Sequence, residues 1–377
     1  MKTYITFCAL FVLLIFSCSK SDTNLIDDDD KVSSVEADYV TLLSKDGLLK
    51  PQLLKANAES ISLNLAESSL SEKSIPDLTF VDGTHFLQYH KDGNCGGQVT
   101  KHDFKTDTTS DVAVFQDVND CDLTATAIAW SDDTLFISYV VTSENPDDYF
   151  VRIIDLNSTE FTAIDVTLGQ KPVDLTVGGN RLFILTFDEL ITDEYSVAVL
   201  DISNSTLVHE LPSGNDVRRI FTNVQGNVIV SYDELHTTIN SSTLAFEYTQ
   251  YDNITAPNFS TSNSSNFDLN GRLFYPMDPT TNSSYPMVPA TYDFSNKLVV
   301  LYAYENFLTE TKRNFEFEIE TTTTVGYDEK NGLMLVGYKK MDNATKEGGL
   351  LRLRLEPELE FVDNLDLDGI PEEILVN

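Results

Sequence analysis

An all-β architecture of four-stranded antiparallel sheets, set one after another along the chain, is what this sequence predicts. Three observations predict it. The stretch 171–214 reads as one complete four-strand unit, turn signals recur ahead of apolar strands at a nearly constant interval, and an acidic marker keeps step with them. In the complete unit, Pro172-Val173-Asp174-Leu175-Thr176-Val177 is an apolar first strand and Gly178-Gly179-Asn180 a tight turn. Arg181-Leu182-Phe183-Ile184-Leu185 is a second strand without clean alternation, and such a run implies burial on both faces. Val197 to Ile202 follows as a third strand and Leu207 to Leu211 as an outer one, closed by Pro212-Ser213-Gly214.

In chain order, Lys2 and the apolar run Ile5 to Phe16 come first, a run too short to cross a bilayer as a stable helix. This is the pattern of an export signal, here residues 1–17. It ends at Ile15-Phe16-Ser17-Cys18, which resembles the lipobox of bacterial lipoproteins. That resemblance implies that Cys18 carries the lipid and becomes the new N-terminus; an ordinary secretory signal is the alternative. Residues 18–37 are polar and acidic without apolar periodicity, the composition of a flexible tether. Ser19-Lys20-Ser21-Asp22 and Asp27 to Asp30 resemble the short charged signals that send many Bacteroidota lipoproteins to the outer face of the outer membrane. The implied location is the outer membrane, at the cell surface, with its periplasmic face as the alternative.

With the signal removed and Cys18 lipidated, Cys95 and Cys121 form an even pair in an oxidising compartment and are expected to be a disulfide, two free buried thiols being the alternative. The bond would close a loop of about 27 residues, worth about 3 kcal/mol in a chain-entropy account. The chain carries 25 basic and 60 acidic residues, a net charge of −35. Such a surface repels phosphate backbones and anionic membranes, so nucleic-acid binding is excluded as a reading. Eight Asn-X-Ser/Thr sequons, from Asn157 to Asn343, fall in an Asn-, Ser- and Thr-rich chain and are read as unmodified loop residues.

Residues 38–377 make up the folded domain. Tyr39 to Leu43 reads as a strand, and Leu53 to Ser69 has the composition of a short helix. Regular punctuation then sets in: Asp82-Gly83 precedes Phe86, Asp132-Asp133 precedes Phe136, Gly178-Gly179-Asn180 precedes Phe183, and Gln225-Gly226 precedes Ile229, at intervals of 50, 47 and 46 residues. The third-strand acids Asp103, Asp155, Asp201 and Glu247 recur at 52, 46 and 46. Beyond them the register loosens, with second-strand candidates at Phe274, Val299 and Met334. The 25-residue step leaves two readings: an abbreviated fifth unit, or one irregular unit holding both Phe274 and Val299.

A period of 45 to 50 residues with four strands per unit is the signature of a β-propeller. From residue 76 onward the chain resembles the broad propeller superfamily that includes the WD40 and YVTN-type repeats, although neither signature is present. Six or seven blades fit. Seven is preferred, because Ile370 to Val376 can then begin a blade that the strand near Tyr39 completes. Two packed β-sandwiches are the alternative.

Four constellations merit chemical reading. Asn364, Asp366, Asp368 and Glu372 surround Gly369, alternate oxygen donors with a turn glycine, as a calcium loop requires. The stretch resembles the Asp-rich segments of thrombospondin type 3 and related bacterial calcium repeats, so calcium is the one candidate cofactor. The alternative is an acidic turn into the last strand. His85, His90 and His102 lie near Cys95, but His85 and His90 sit an odd number of residues apart and face opposite sides of one strand, which argues against zinc. Trp130, the single tryptophan, is read as packing. Tyr139, Tyr232, Tyr275 and Tyr338 stand at or just beyond the ends of second strands; they are candidates for a ligand-binding mouth, with aromatic fill between blades as the alternative.

No nucleophile elbow, phosphate loop or zinc-protease motif occurs. The expected function is therefore a lipid-anchored, non-catalytic propeller that captures a nutrient ligand, such as a glycan, siderophore or haem-like compound, for an uptake partner. An envelope interaction scaffold is the second reading and a propeller hydrolase or lyase the third.

Overall fold

The computed structural model describes residues 37–377, apart from 94–95, 119–121, 143–146, 159–160, 253–255, 260–265, 281 and 343. Cys18, the signal at 1–17, the tether up to residue 36, Cys95 and Cys121 lie outside the described residues.

The first sheet begins with β1 (Tyr39–Lys45), β2 (Leu48–Ala56) and β3 (Ile61–Leu63), with β4 (Lys73–Ser74) added on β2. The second comprises β5 (Leu78–Asp82), β6 (His85–Asp92), β7 (Gly96–Asp103) and β8 (Thr108–Ala113). The third runs through β9 (Leu123–Ser131), β10 (Thr134–Val141), β11 (Asp148–Asp155) and β12 (Ala163–Leu168). In the fourth are β13 (Lys171–Gly178), β14 (Arg181–Phe187), β15 (Tyr195–Asp201) and β16 (Thr206–Gly214), the unit read complete from sequence. The fifth holds β17 (Arg219–Thr222), β18 (Val228–Ser231), β19 (Leu235–Ile239) and β20 (Phe246–Gln250). The sixth has β21 (Asn266–Phe267), β22 (Arg272–Met277), β23 (Val288–Asp293) and β24 (Leu298–Leu301). The seventh contains β25 (Ile319–Asp328), β26 (Leu333–Lys340), β27 (Gly348–Arg354) and β28 (Glu360–Leu367). Finally β29 (Ile370–Val376) returns to the first sheet and pairs antiparallel with β1, Tyr39 opposite Val376 and Val40 opposite Leu375. The chain is an all-β, seven-bladed β-propeller, closed by its first and last strands.

Sequence punctuation and structure agree where a turn forces the backbone. The first hairpin of a blade passes through the left-handed region at Gly83 (φ 57°), Asp132 (φ 50°), Gly226 (φ 75°) and Gly332 (φ 66°), the geometry that favours glycine and tolerates aspartate. The third-strand acids cap the turn that follows. Asp103 accepts from the amide of Lys105, Asp155 from that of Asn157, Asp201 from that of Ser203, and Asp293 from those of Ser295 and Asn296.

Two readings need correction, and one open alternative is decided. Glu247 lies on β20, an outer strand; the equivalent turn in that blade is capped by Asn240, whose side chain accepts from the amides of Ser242 and Thr243. Leu53 to Ser69 is not a helix: Leu53 and Leu54 are buried on β2 whereas Leu63 and Leu65 are exposed, so no helical apolar face exists to bury. Phe274 and Val299 belong to one sheet, on β22 and β24, which explains the short step. The chain then crosses to the last blade through a 3-10 turn (Tyr304–Asn306) and a π turn (Lys312–Glu316).

There is no single core. Seven hydrophobic clusters occur among the described residues, one at each junction between neighbouring blades; Phe136 and Val151 of the third blade, for example, pack with Leu182 and Leu200 of the fourth. Two junctions also carry an arginine staple. Arg152 on β11 grips Asp165 through Nε and Nη2 (2.8 and 2.7 Å), donates to Asp117 (2.6 and 3.1 Å), and reaches the Val114 carbonyl of the preceding blade (2.7 Å). Arg352 on β27 grips Asp363 (2.7 and 2.8 Å) and reaches the Asn57 carbonyl of the first blade (2.5 Å). Planar, two-pronged contacts of this kind satisfy a buried guanidinium while fixing the angle between blades.

Candidate functional site

Each blade points its first strand inward, and β5, β9, β13, β17, β21 and β29 together line a cavity of about 760 Å³. Three of these strands bulge there, β9 at Thr126, β13 at Val173 and β29 at Glu372. Each of these residues is skipped by the neighbouring strand, which breaks the two-residue alternation and re-aims the residues beyond.

Asp174 follows the second bulge. Its carboxylate accepts from the amides of Leu175 (2.8 Å) and, across the blade junction, Ile220. Arg219 opens β17, nearly fully buried, with its guanidinium 4.8 Å from the centre of the Phe221 ring. Glu373 arrives from β29 and also acts electrostatically on Arg219. Asp174 and Arg219 titrate unusually. Burial pushes Asp174 from 3.8 up to about 6, against the pull of Arg219 and the two amides. Burial likewise pushes Arg219 down from 12.5 to about 10, with Asp174 and Glu373 opposing it. Both shifts mean that each ion is held where it is poorly solvated, at a cost to the fold.

The remaining wall is mixed. Phe80, Ile128, Val173, Phe221 and Phe267 supply apolar surface, and Thr79, Thr126, Ser131, Thr176 and Thr222 supply hydroxyls. The Thr176 and Thr222 hydroxyls meet at 2.7 Å and tie β13 to β17. Asp77 and Asp82 add two further carboxylates, and Arg218 is gripped by Asp233 at 2.9 and 2.6 Å.

None of the four candidate tyrosines is among the cavity-lining residues. Tyr139, Tyr275 and Tyr338 are buried within three different inter-blade clusters, and Tyr232 packs against a fourth with its hydroxyl on the Ser213 carbonyl at 3.0 Å. Tyr275 donates to the Pro257 carbonyl (2.6 Å) and Tyr338 to Asn364 (2.9 Å). Tyr139, Tyr275 and Tyr338 occupy second strands, one layer out from the cavity, and fill the space between blades, with Tyr232 just beyond the end of β18. The proposed calcium ligands do not converge either. Asp366 takes Lys340 at 2.8 Å, Asp368 pairs with Lys346, Glu372 accepts from Ser44, and no group of three metal-ligating side chains occurs among the described residues. Each of these three carboxylates has a protein partner. His102 is buried between Thr109 and Ser68, His90 meets the Ser74 carbonyl, and His85 packs on Trp130, which also carries the Lys101 ammonium at 3.9 Å from its ring centre.

Asp174, Arg219 and Glu373 were not singled out from sequence. The available signal was a charged residue interrupting an apolar inner strand, as Asp174 does between Val173 and Leu175.

No protein-family model matches the chain, and no curated protein matches it. Among solved structures it is similar to a puromycin-hydrolyzing peptidase of Mycobacterium tuberculosis, with a TM-score of 0.48 at 9% identity over 90% of this chain and 55% of that one. It is similar to apo AztD from Citrobacter koseri, with a TM-score of 0.45 at 9% identity over 91% and 87%. A protein of unknown function from Bacteroides caccae gives 0.40 at 11% identity over 78% and 98%. The chain spans about half the length of the puromycin hydrolases it matches. These likenesses concern the fold alone.

Proposed function

We propose that the protein is a lipid-anchored lipoprotein of the outer membrane, exposed at the cell surface, whose propeller is a non-catalytic binding module that holds a nutrient ligand for an uptake partner. The observation that carries this reading is the central cavity. At about 760 Å³ it falls within the roughly 300–1,000 Å³ typical of small-molecule sites, and it combines aromatic walls with a few buried polar groups. The Asp174 and Arg219 ions support it, because a fold that keeps poorly solvated charges at a cavity wall forgoes stability that an apolar wall would supply. Among the described lining residues there is no cysteine, so the wall offers no thiol nucleophile.

Thermal unfolding of the whole chain in uncharged detergent tests it, with glycans, ferric siderophores and haem titrated in turn. A true ligand raises the midpoint saturably, by mass action on the folded state, and Arg219→Met alters the rise by changing the charge of the wall. A rise indifferent to Arg219→Met moves the site off the cavity, and absence of any rise across these ligands and organic amines transfers the reading to the envelope scaffold. That second reading has its own support in the exposed apolar strand edge at Phe246 and Tyr248, whose rings touch at 5.4 Å.

A further inference from the structure

We infer that the ligand of the central cavity is a small organic cation, a primary amine or guanidinium carried on an aromatic or sugar-sized body. The inference rests on the reading that the cavity is the binding site, and it names the chemistry which that site selects.

The wall contains four carboxylates, Asp77, Asp82, Asp174 and Glu373, against two guanidiniums, Arg218 and Arg219. Both guanidiniums already serve carboxylates of the protein: Arg218 holds Asp233 with two hydrogen bonds, and Arg219 lies under the joint attraction of Asp174 and Glu373. An anionic ligand on Arg219 would have to displace Asp174 or Glu373 and leave a carboxylate stranded beside the buried wall, a penalised exchange. A cation meets the opposite situation, since carboxylates outnumber guanidiniums in the wall. The same sign extends over the whole molecule, whose net charge of −35 concentrates cations at the mouth and repels anions.

The carboxylates do not gather into a metal cage, for no three metal-ligating side chains cluster among the described residues. Spread charges with apolar surface between them suit an extended organic ion. Phe80, Ile128, Val173 and Phe267 would cover its body, and the inner-strand hydroxyls would meet its polar substituents. Siderophores and haem, which carry carboxylates or other acidic groups, fit this wall poorly; an amino sugar or an arylalkyl amine fits it.

The test is isothermal titration of the whole chain in uncharged detergent with two sets of matched probes: glucosamine, glucose and glucuronate; tyramine, tyrosol and 4-hydroxyphenylacetate. Within at least one set the amine binds at least tenfold tighter than its neutral and acidic counterparts. Raising the salt weakens it, and Glu373→Gln reduces its affinity about tenfold. Equal affinity across both sets, tighter binding of either acid, or no binding of either amine overturns the inference. Binding of a neutral or acidic probe that Arg219→Met abolishes would sink the inference and leave the cavity reading standing. Binding indifferent to both variants would remove the cavity reading itself.

Discussion

Arg152 and Arg219 are both arginines withdrawn from water, and the fold treats them in opposite ways. Arg152 sits at a blade junction with hydrogen bonds to Asp165, Asp117 and the Val114 carbonyl. Burial alone would lower its pKa, but the two carboxylates outweigh that and hold it above the usual guanidinium range. At the cavity wall burial wins, and Arg219 falls to about 10. The contrast separates two uses of a buried charge. A fully compensated ion fixes the geometry between blades, whereas an undercompensated one preserves a polar wall that packing alone would not choose.

The sharpest way to break the contrast is Arg152→Met. It leaves Asp117 and Asp165 facing each other without their clamp, and should cost about 3 kcal/mol in denaturant unfolding. A loss below about 1 kcal/mol would show that the staple is incidental. Arg219→Met should cost less, about 1 kcal/mol at pH 7, because Asp174, already raised to about 6, can take up a proton in place of its partner. The double variant Asp174→Leu/Arg219→Met should unfold no earlier than the native chain, and an earlier transition would mean that the wall is structural.

The smallest expected effect is in pH dependence. Asp174 moves from 3.8 to about 6 on folding, so the folded state binds the extra proton. Its contribution to stability is complete below about pH 4 and is lost as the pH rises through about 6. Asp174→Asn should flatten the thermal midpoint over that window, and an unchanged slope would remove Asp174 as its source. The charged groups acting on Asp174 and on its partner are Arg219 and Glu373, and the Leu175 and Ile220 amides face it from its own strand and the next.

The repeat was legible because hairpins impose local chemistry. A left-handed residue or a side-chain cap is required at each turn, and Gly83, Asp132, Asp155 and Asp201 are visible as such without any knowledge of the ring. Glu247 misled because asparagine performs the same capping at Asn240, one strand earlier than the acid that was counted. The site was less legible for a geometric reason. Its residues come from first strands that converge only after closure, with Glu373 supplied from the far end of the chain. Bulges at Thr126 and Val173 also shift the alternation on which face assignments depend. The tyrosines were conspicuous by position, but second strands lie between blades, and there Tyr139, Tyr275 and Tyr338 are packing residues.

Closure has a consequence for the order in which the molecule can be finished. Tyr39 pairs with Val376, and Asn377 donates through its backbone to the Asp38 carbonyl and through its side chain to that of Ala37. During synthesis the first blade is therefore the first to emerge and the last to be completed. Until the final strand arrives, β1 presents an unpaired edge, and the wall lacks Glu373. Ring integrity and the finished binding wall thus depend on the same late event, so a chain stopped short of β29 would lose both together.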